Sequence, residues 1–307
     1  MIKCIALGRC CYDINLEIDQ MPAEGSVMEF SEKHSCGGGS AANMAYALAK
    51  WGVHVTFSGI LGNDVFGTRI KKELDSVHID MRYIEQIYDG DTTITVNLIN
   101  KTTKVHTMYN MYDKYVSLKK LDYDFTPELL VFDGYDPVAV KQVIERFPKC
   151  PSVLDASIIT KYVAELIPKV KYCICSLEFA EALSNVKADF NRPDTLISMY
   201  QKIKKKHLST EIIITLGNRG AMYFVNNQIK ISPSLKVETV DTTGAGAAFR
   251  AAFAYMIAQE KDVEKAVKFG CIAGSLATTK LGGRTSIPTL TEIKNYYDQN
   301  YEWSIYS

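Results

Sequence analysis

The chain has 307 residues, of which 47% are apolar and 23% are charged, and these proportions are ordinary for a soluble globular protein. Lys plus Arg and Asp plus Glu each number 35, and this zero net charge argues against a nucleic acid or an anionic membrane as the main partner. No apolar run approaches the roughly 20 residues that span a bilayer, and no secretory signal pattern is present. The eight cysteines form no C-x-x-C pair, so we predict a cytoplasmic protein with reduced thiols.

Short apolar runs alternate with segments of helical periodicity along most of the chain. The runs predict buried strands at 2–7, 53–62, 129–133, 152–155, 172–176 and 211–217. The periodic segments predict a helix from the loop 37–43 to about residue 51, and further helices at 65–77, 137–147, 159–167, 178–184, 193–207, 244–259, 262–280 and 290–300. Strands that alternate with helices at this spacing predict an α/β fold whose mainly parallel sheet is covered on both faces.

A second set of strand patterns alternates apolar and polar residues, which is typical of a sheet with one solvated face. These patterns cover residues 12–18, 27–35, 92–99 and 105–109. We predict that they form a small antiparallel sheet, inserted at about 12–35 and 90–112, that acts as a lid over a ligand site. A lid excludes water from the site that it covers.

The segment from Asp241 to Phe249 reads D-T-T-G-A-G-A-A-F and opens an apolar helix. Its glycines allow the backbone to turn sharply and to approach a ligand. The first N–H groups of a helix have no internal partner and the helix dipole favours negative charge, so this is a candidate anion site. The glycines alone are equally consistent with a tight helix start that binds nothing.

This segment resembles the C-terminal signature of the PfkB, or ribokinase-like, carbohydrate kinases, D-T-T-G-A-G-D-x-F. Four other segments are similar to signatures of that family and follow its order, namely 38–45, 61–67, 215–220 and 281–289. The resemblance implies one kinase domain over residues 1–307 with a three-layer α/β/α fold and a small β-sheet lid. It also implies transfer of a phosphoryl group from ATP to a sugar hydroxyl.

The resemblance assigns roles position by position. The residues implied to bind the sugar are Asp13, Gly38, Gly39, Asn43 and Asn97, with the glycines required because a side chain would fill the pocket. The residues implied to bind the nucleotide are Thr215, Gly217, Gly220 and Gly282. Gly244, Ala245 and Gly246 would stabilise the transferring group, and Asp241, Thr243 and Ser286 would hold a monovalent cation, K⁺. Mg²⁺ would be held mainly by ATP and water.

One departure from the signature bears on activity, because Ala247 stands where the family has its catalytic base. Positioned general-base catalysis is worth about 10²–10⁴ in rate, and a methyl group cannot supply it. We therefore predict binding with little turnover. A natural loss and an engineered change that traps bound substrate are both consistent with the sequence.

Two alternatives stay open beside an impaired sugar kinase: a pseudokinase that binds ATP and a sugar without catalysis, and a nucleoside kinase. The sequence contains no G-x-x-x-x-G-K-[ST] string, and no G-x-G-x-x-G follows the first strand, which argues against P-loop and dinucleotide-binding folds. The expected partners are a sugar and ATP, and an exposed lid edge is consistent with a homodimer formed through the lid.

Overall fold

The computed structural model describes residues 1–30, 33–111 and 116–298. Within these ranges the strands are β1 (Lys3–Leu7), β2 (Cys11–Ile18), β3 (Lys33–Gly38), β4 (His54–Gly62), β5 (Asp80–Ile87), β6 (Ile94–Asn100), β7 (His106–Met111), β8 (Leu129–Phe132), β9 (Ser152–Ala156), β10 (Tyr172–Ser176), β11 (Glu211–Thr215), β12 (Ala221–Val225) and β13 (Gln228–Ser232). The helices are α1 (Ser40–Lys50), α2 (Val65–Asp75), α3 (Pro137–Arg146), α4 (Lys161–Leu166), α5 (Leu177–Ser184), α6 (Pro193–Lys206), α7 (Ala245–Ala258), α8 (Val263–Ala277) and α9 (Leu290–Asp298).

The described strands form a nine-stranded sheet with the order β13-β12-β11-β10-β9-β8-β1-β4-β5. The seven strands from β11 to β5 run parallel to one another, and only β12 and β13 pair antiparallel at one edge. The predicted mainly parallel sheet is therefore confirmed.

Two hydrophobic clusters lie on opposite faces of this sheet. Successive residues of β1 alternate between them, with Cys4 and Ala6 in one cluster and Ile5 and Leu7 in the other. The first cluster includes buried residues of α1, α2, α7, α8 and α9, and the second includes those of α3, α4, α5 and α6. A strand that is buried on both faces needs a continuous apolar run, which is why the sequence located these strands well. The predicted three-layer α/β/α fold is confirmed.

A second, four-stranded sheet has the order β3-β2-β6-β7, and we call it the small sheet. The pairs β2–β3 and β6–β7 are antiparallel as predicted, whereas the central pair β2–β6 is parallel. Its strand β3 begins at Lys33 and continues to Gly38, so the predicted strand over 27–35 was placed too early. Residues 31, 32 and 112 of the two predicted lid segments, and 299–300 of the last predicted helix, lie outside the described residues.

Candidate active site

An acidic side chain, Asp133, follows the central strand β8 at the carboxyl edge of the large sheet, where α/β proteins commonly bind ligands. The carboxylate of Asp133, after β8, accepts backbone N–H groups of Arg9 (2.8 Å), Ala41 (3.1 Å) and Tyr135 (3.0 Å). Burial raises the pKa of Asp133 to about 6, although these hydrogen bonds oppose the shift. Asp133 thereby joins the end of β1 to the start of α1, the two elements that lead into the site.

Asp13 lies on β2 with 6% of its surface exposed, beside β3. A Cβ atom on Gly38 would lie 2.1 Å from Asp13 Oδ2, so a side chain at 38 would collide with this carboxylate. That contact is a more specific reason for the glycine than the predicted filling of a pocket. Glycine is required at position 39 for a different reason, because the backbone φ of +90° there lies in the region that favours glycine. Burial raises the pKa of Asp13, and the thiol of Cys11, 3.2 Å from Oδ1, opposes the rise.

Asn43, in the first turn of α1, lies beside Asp13. A Cβ atom on Gly283 would be 3.0 Å from Asn43 Nδ2 and 3.9 Å from Asp13 Oδ2. The amide and the carboxylate therefore approach the same point of the 281–289 segment. Two polar side chains with free acceptor and donor capacity at one point are suited to hold sugar hydroxyls.

Arg284 is a site residue that the sequence analysis did not identify. It is 3% exposed, and its Nε donates to Asn43 Oδ1 at 3.0 Å. Its Nη1 pairs with Glu73 at 2.9 Å, and its Nη2 donates to the Gly38 carbonyl at 3.3 Å. Arg284 therefore links Asn43 to the glycine loop. The only sequence signal for this role was the presence of a charged residue inside a glycine-rich signature.

The N-terminus of α7 meets the same point. Gly244 is its N-cap residue with φ of +82°, and a Cβ atom there would lie 2.6 Å from the Gly283 carbonyl oxygen. Ala245, Gly246 and Ala247 follow in the first turn, which carries no acidic side chain. The predicted anion site and the Asp13–Asn43 pair are thus brought together on either side of Gly283.

Asp241 is fully buried and braces the loop before α7. Its Oδ1 accepts the N–H of Thr243 and its Oδ2 accepts the N–H of Gly282, both at 2.8 Å. Thr243 Oγ1 and Ser286 Oγ are buried and have no hydrogen-bond partner among the described residues. Buried hydroxyls normally have a partner, so these two oxygens fit a ligand that the loops surround.

The predicted nucleotide residues lie at the same edge of the sheet, after β11. The hydroxyl of Thr215 donates to the Cys175 carbonyl at 3.2 Å, and Gly217, with φ of +60°, faces open space. A Cβ atom on Gly220 would lie only 1.9 Å from the Ser232 carbonyl oxygen, so this glycine is required by the local packing of β13. Gly282 lies apart from these residues, beside Asp241.

Two asparagines face each other across the small sheet. Asn97 Nδ2 donates to Asn15 Oδ1 at 2.8 Å, and the residues are 1% and 3% exposed. Among the described residues, Asn97 Oδ1 and Asn15 Nδ2 have no hydrogen-bond partner. The pair lies next to Asp13 and its cross-strand neighbour Thr95, on the same face of the sheet because side chains alternate along a strand.

The small sheet also touches the loop before α7. Thr242 Oγ1 lies 3.2 Å from His106 Nδ1 and donates to the Lys104 carbonyl at 3.2 Å. The turn between β6 and β7 therefore lies against the 241–246 segment.

A model of the pfkB family carbohydrate kinases matches residues 1–290. The chain belongs to this family. It is 27% identical to the ribokinase of Bacillus subtilis over 305 residues, which cover 94% of this chain and 97% of the relative. It is 26% identical to the deoxyribokinase of Salmonella typhi over 319 residues, with 96% and 98% covered.

Solved structures of the pfkB family share the fold. The Arabidopsis thaliana ribokinase complexed with ribose and ATP has a TM-score of 0.81 at 20% identity, with 99% of each chain covered. The Cryptococcus neoformans ribokinase in complex with ADP has a TM-score of 0.81 at 19% identity, covering 96% of this chain and all of that one. The family membership and the ribokinase-like fold predicted from the sequence are confirmed. None of the described helices is long and apolar enough to cross a membrane.

Proposed function

We propose that this pfkB-family chain binds a sugar and ATP in one cleft and transfers the γ-phosphoryl group to a sugar hydroxyl, at a rate limited by Ala247. The meeting of Asp13, Asn43 and the α7 N-terminus around Gly283 carries the proposal. The names of the relatives, ribokinase and deoxyribokinase, support the substrate class.

The proposed mechanism assigns one task to each group. Asp13 accepts hydrogen bonds from the sugar and the amide nitrogen of Asn43 donates one to it, and together they orient the acceptor hydroxyl. Arg284 keeps the Asn43 amide in place. The free N–H groups of the first turn of α7 stabilise the charge on the transferring group. Mg²⁺ would be held mainly by ATP and water, and it would neutralise part of the phosphate charge. The hydroxyl oxygen forms a bond to the γ-phosphorus as ADP leaves, and with no carboxylate at 247 its proton passes to water or to a phosphate oxygen. Transfer is therefore expected to be slow.

The experiment that tests this function is ADP release on a panel of sugars and nucleosides, run together with equilibrium binding of ATP and of each candidate acceptor. Slow turnover of one sugar supports the proposal. If only nucleosides bind, the chain would instead be assigned as a nucleoside kinase. Binding of ATP and a sugar without any turnover favours the second candidate, a pseudokinase, which Ala247 itself motivates.

We also propose that the small sheet acts as a lid within one kinase domain. The contacts of Thr242 with His106 and Lys104 support this, because they hold the sheet against the loop that precedes α7. A closed lid would exclude water, which competes with the sugar as acceptor. The homodimer through the lid stays a prediction, and the exposed Tyr109 and Met111 share one face of β7 and would supply apolar surface for it.

We propose that a potassium ion binds at Asp241, Thr243 and Ser286. This is supported by the buried hydroxyl oxygens of Thr243 and Ser286, which have no hydrogen-bond partner within the described residues. We expect KCl to raise the melting temperature and the ADP affinity above the values in choline chloride at equal ionic strength. Ser286→Ala should remove most of that difference, since it deletes one oxygen ligand. An equal response in both variants would contradict this cation site.

The Asn15–Asn97 pair is expected to contact the sugar through its free donor and acceptor. Asn97→Leu should weaken sugar binding about three- to tenfold, the effect of one or two hydrogen bonds. The double variant Asn15→Leu, Asn97→Leu removes both polar groups and should fold at least as stably, because no amide is left unpaired. Sugar affinity that survives in the double variant would show that the pair does not contact the sugar.

A further inference from the structure

Arg250 is a buried cation for which the family signature offers no role. It lies on α7, three residues after Ala247, and is 3% exposed. Its Nε pairs with Asp155 Oδ1 at 2.9 Å and lies 3.4 Å from the Ile174 carbonyl oxygen. The guanidinium thus bridges α7 to the carboxyl end of β9 and to the middle of β10.

The rest of the guanidinium points to the start of α7. A Cβ atom on Gly246 would lie 2.4 Å from Arg250 Nη1, so this nitrogen lies against the first helical turn. The contacts that Arg250 makes within the described ranges all use Nε. Nη1 and Nη2 are therefore left to donate to a ligand at the helix N-terminus, where the N–H groups of Gly246 and Ala247 are also free.

Asp155 holds this geometry in place. Its Oδ2 accepts a hydrogen bond from the hydroxyl of Ser40, the first residue of α1, and its Oδ1 accepts the N–H of Ser157 at 3.0 Å. Burying an ion pair costs desolvation that the Coulomb attraction often only offsets, so stability is a weak reason to keep such a pair. A rigid arginine whose Nη1 lies against the first turn of a helix is better explained by an anion that binds there.

We propose that Arg250 is an anion-binding residue whose Nη groups, with the first N–H groups of α7, hold a phosphate group of the nucleotide. The proposal rests on the proposed function, since it concerns the same cleft. A guanidinium presents two parallel donors that match two phosphate oxygens. The first turn carries no acidic side chain, because Ala247 bears a methyl group, so nothing there repels the phosphate. The site is accordingly built to retain phosphate rather than to remove a proton.

The test compares ADP with adenosine, which lacks the phosphates, by calorimetry on the full chain. The double variant Arg250→Met, Asp155→Asn removes both buried charges and should bind ADP about tenfold or more weakly, with adenosine affinity unchanged. Arg250→Lys keeps the positive charge but loses the two parallel donors of the guanidinium, so it should give an intermediate ADP affinity. Inorganic phosphate should raise the melting temperature of the unaltered protein and of Arg250→Lys more than that of the double variant.

Equal losses of ADP and adenosine affinity, or no loss of either, would overturn the proposal and leave the ion pair a structural link. Should the double variant not fold, an ADP affinity in Arg250→Lys equal to that of the unaltered protein would overturn it too. If no sugar on the panel is phosphorylated but ADP affinity still depends on Arg250, the kinase function would be rejected and this anion site retained.

Discussion

Ala247→Asp is expected to raise the turnover of the preferred sugar by about 10²-fold or more, because it restores a carboxylate that can take the proton of the attacking hydroxyl. Position 247 lies in the first turn of α7, where a negative charge also interacts favourably with the helix dipole. The residue is 7% exposed, so the new carboxylate would lie at the wall of the cleft. Arg250 follows three residues later, and its charge would weaken the new base, which puts the gain toward the lower end of the range.

The matched control is Ala247→Asn, which has nearly the size and shape of Asp but cannot act as a base. Single-turnover formation of ADP, counted whether or not it has left the enzyme, separates the two variants, because it reports the chemical step apart from product release. A gain in Ala247→Asp alone identifies the chain as a kinase that lacks its base. If both variants bind ATP and a sugar but neither turns over, the pseudokinase interpretation replaces the proposed function.

In the large sheet, the sequence predicted the central strands, which are buried on both faces, and missed the strands at its two edges, β5, β12 and β13. Strand β5 (DMRYIEQI) lies at the sheet edge and is largely half-buried, so it has no continuous apolar run. The β12–β13 hairpin turns through Asn226 and Asn227, which have φ of +51° and +61°. Two residues with positive φ are typical of the tightest hairpins, but Asn-Asn is a weaker signal for such a turn than Asn-Gly.

The residues of the candidate site also divide into those that the sequence predicted and those that it did not. Motif spacing located Asn43 and the α7 N-terminus because each belongs to a signature, whereas Asp13 was assigned from its position after the first strand; the fold brings these segments together. Arg284 and Arg250 could not be assigned from the sequence, because their meaning depends on distant partners. Glu73 lies 211 residues before Arg284, and Asp155 lies 95 residues before Arg250. A single sequence does not reveal which buried charges will meet.

The pH dependence of sugar binding is expected to follow Asp13. Its carboxylate accepts hydrogen bonds from hydroxyl groups more strongly when it is charged, and burial raises its pKa above the ordinary value for aspartate. Affinity should therefore be full near neutral pH and should fall as pH drops through this raised pKa, before ordinary surface carboxylates are protonated. The measurement is sugar binding by calorimetry between about pH 4 and pH 8, within the range where the protein stays folded by circular dichroism.

Asp13→Asn should weaken sugar binding at neutral pH by about 10- to 100-fold, the loss expected for hydrogen bonds to a charged group in a buried site. It should also abolish the fall in affinity at acid pH, since the amide does not titrate. Asp19→Asn is the matched control, because Asp19 follows the same strand but is exposed, with its carboxylate 3.4 Å from Lys101 Nζ at the surface. An acid transition that persists unchanged in Asp13→Asn would assign the titrating group elsewhere and remove Asp13 from the sugar site.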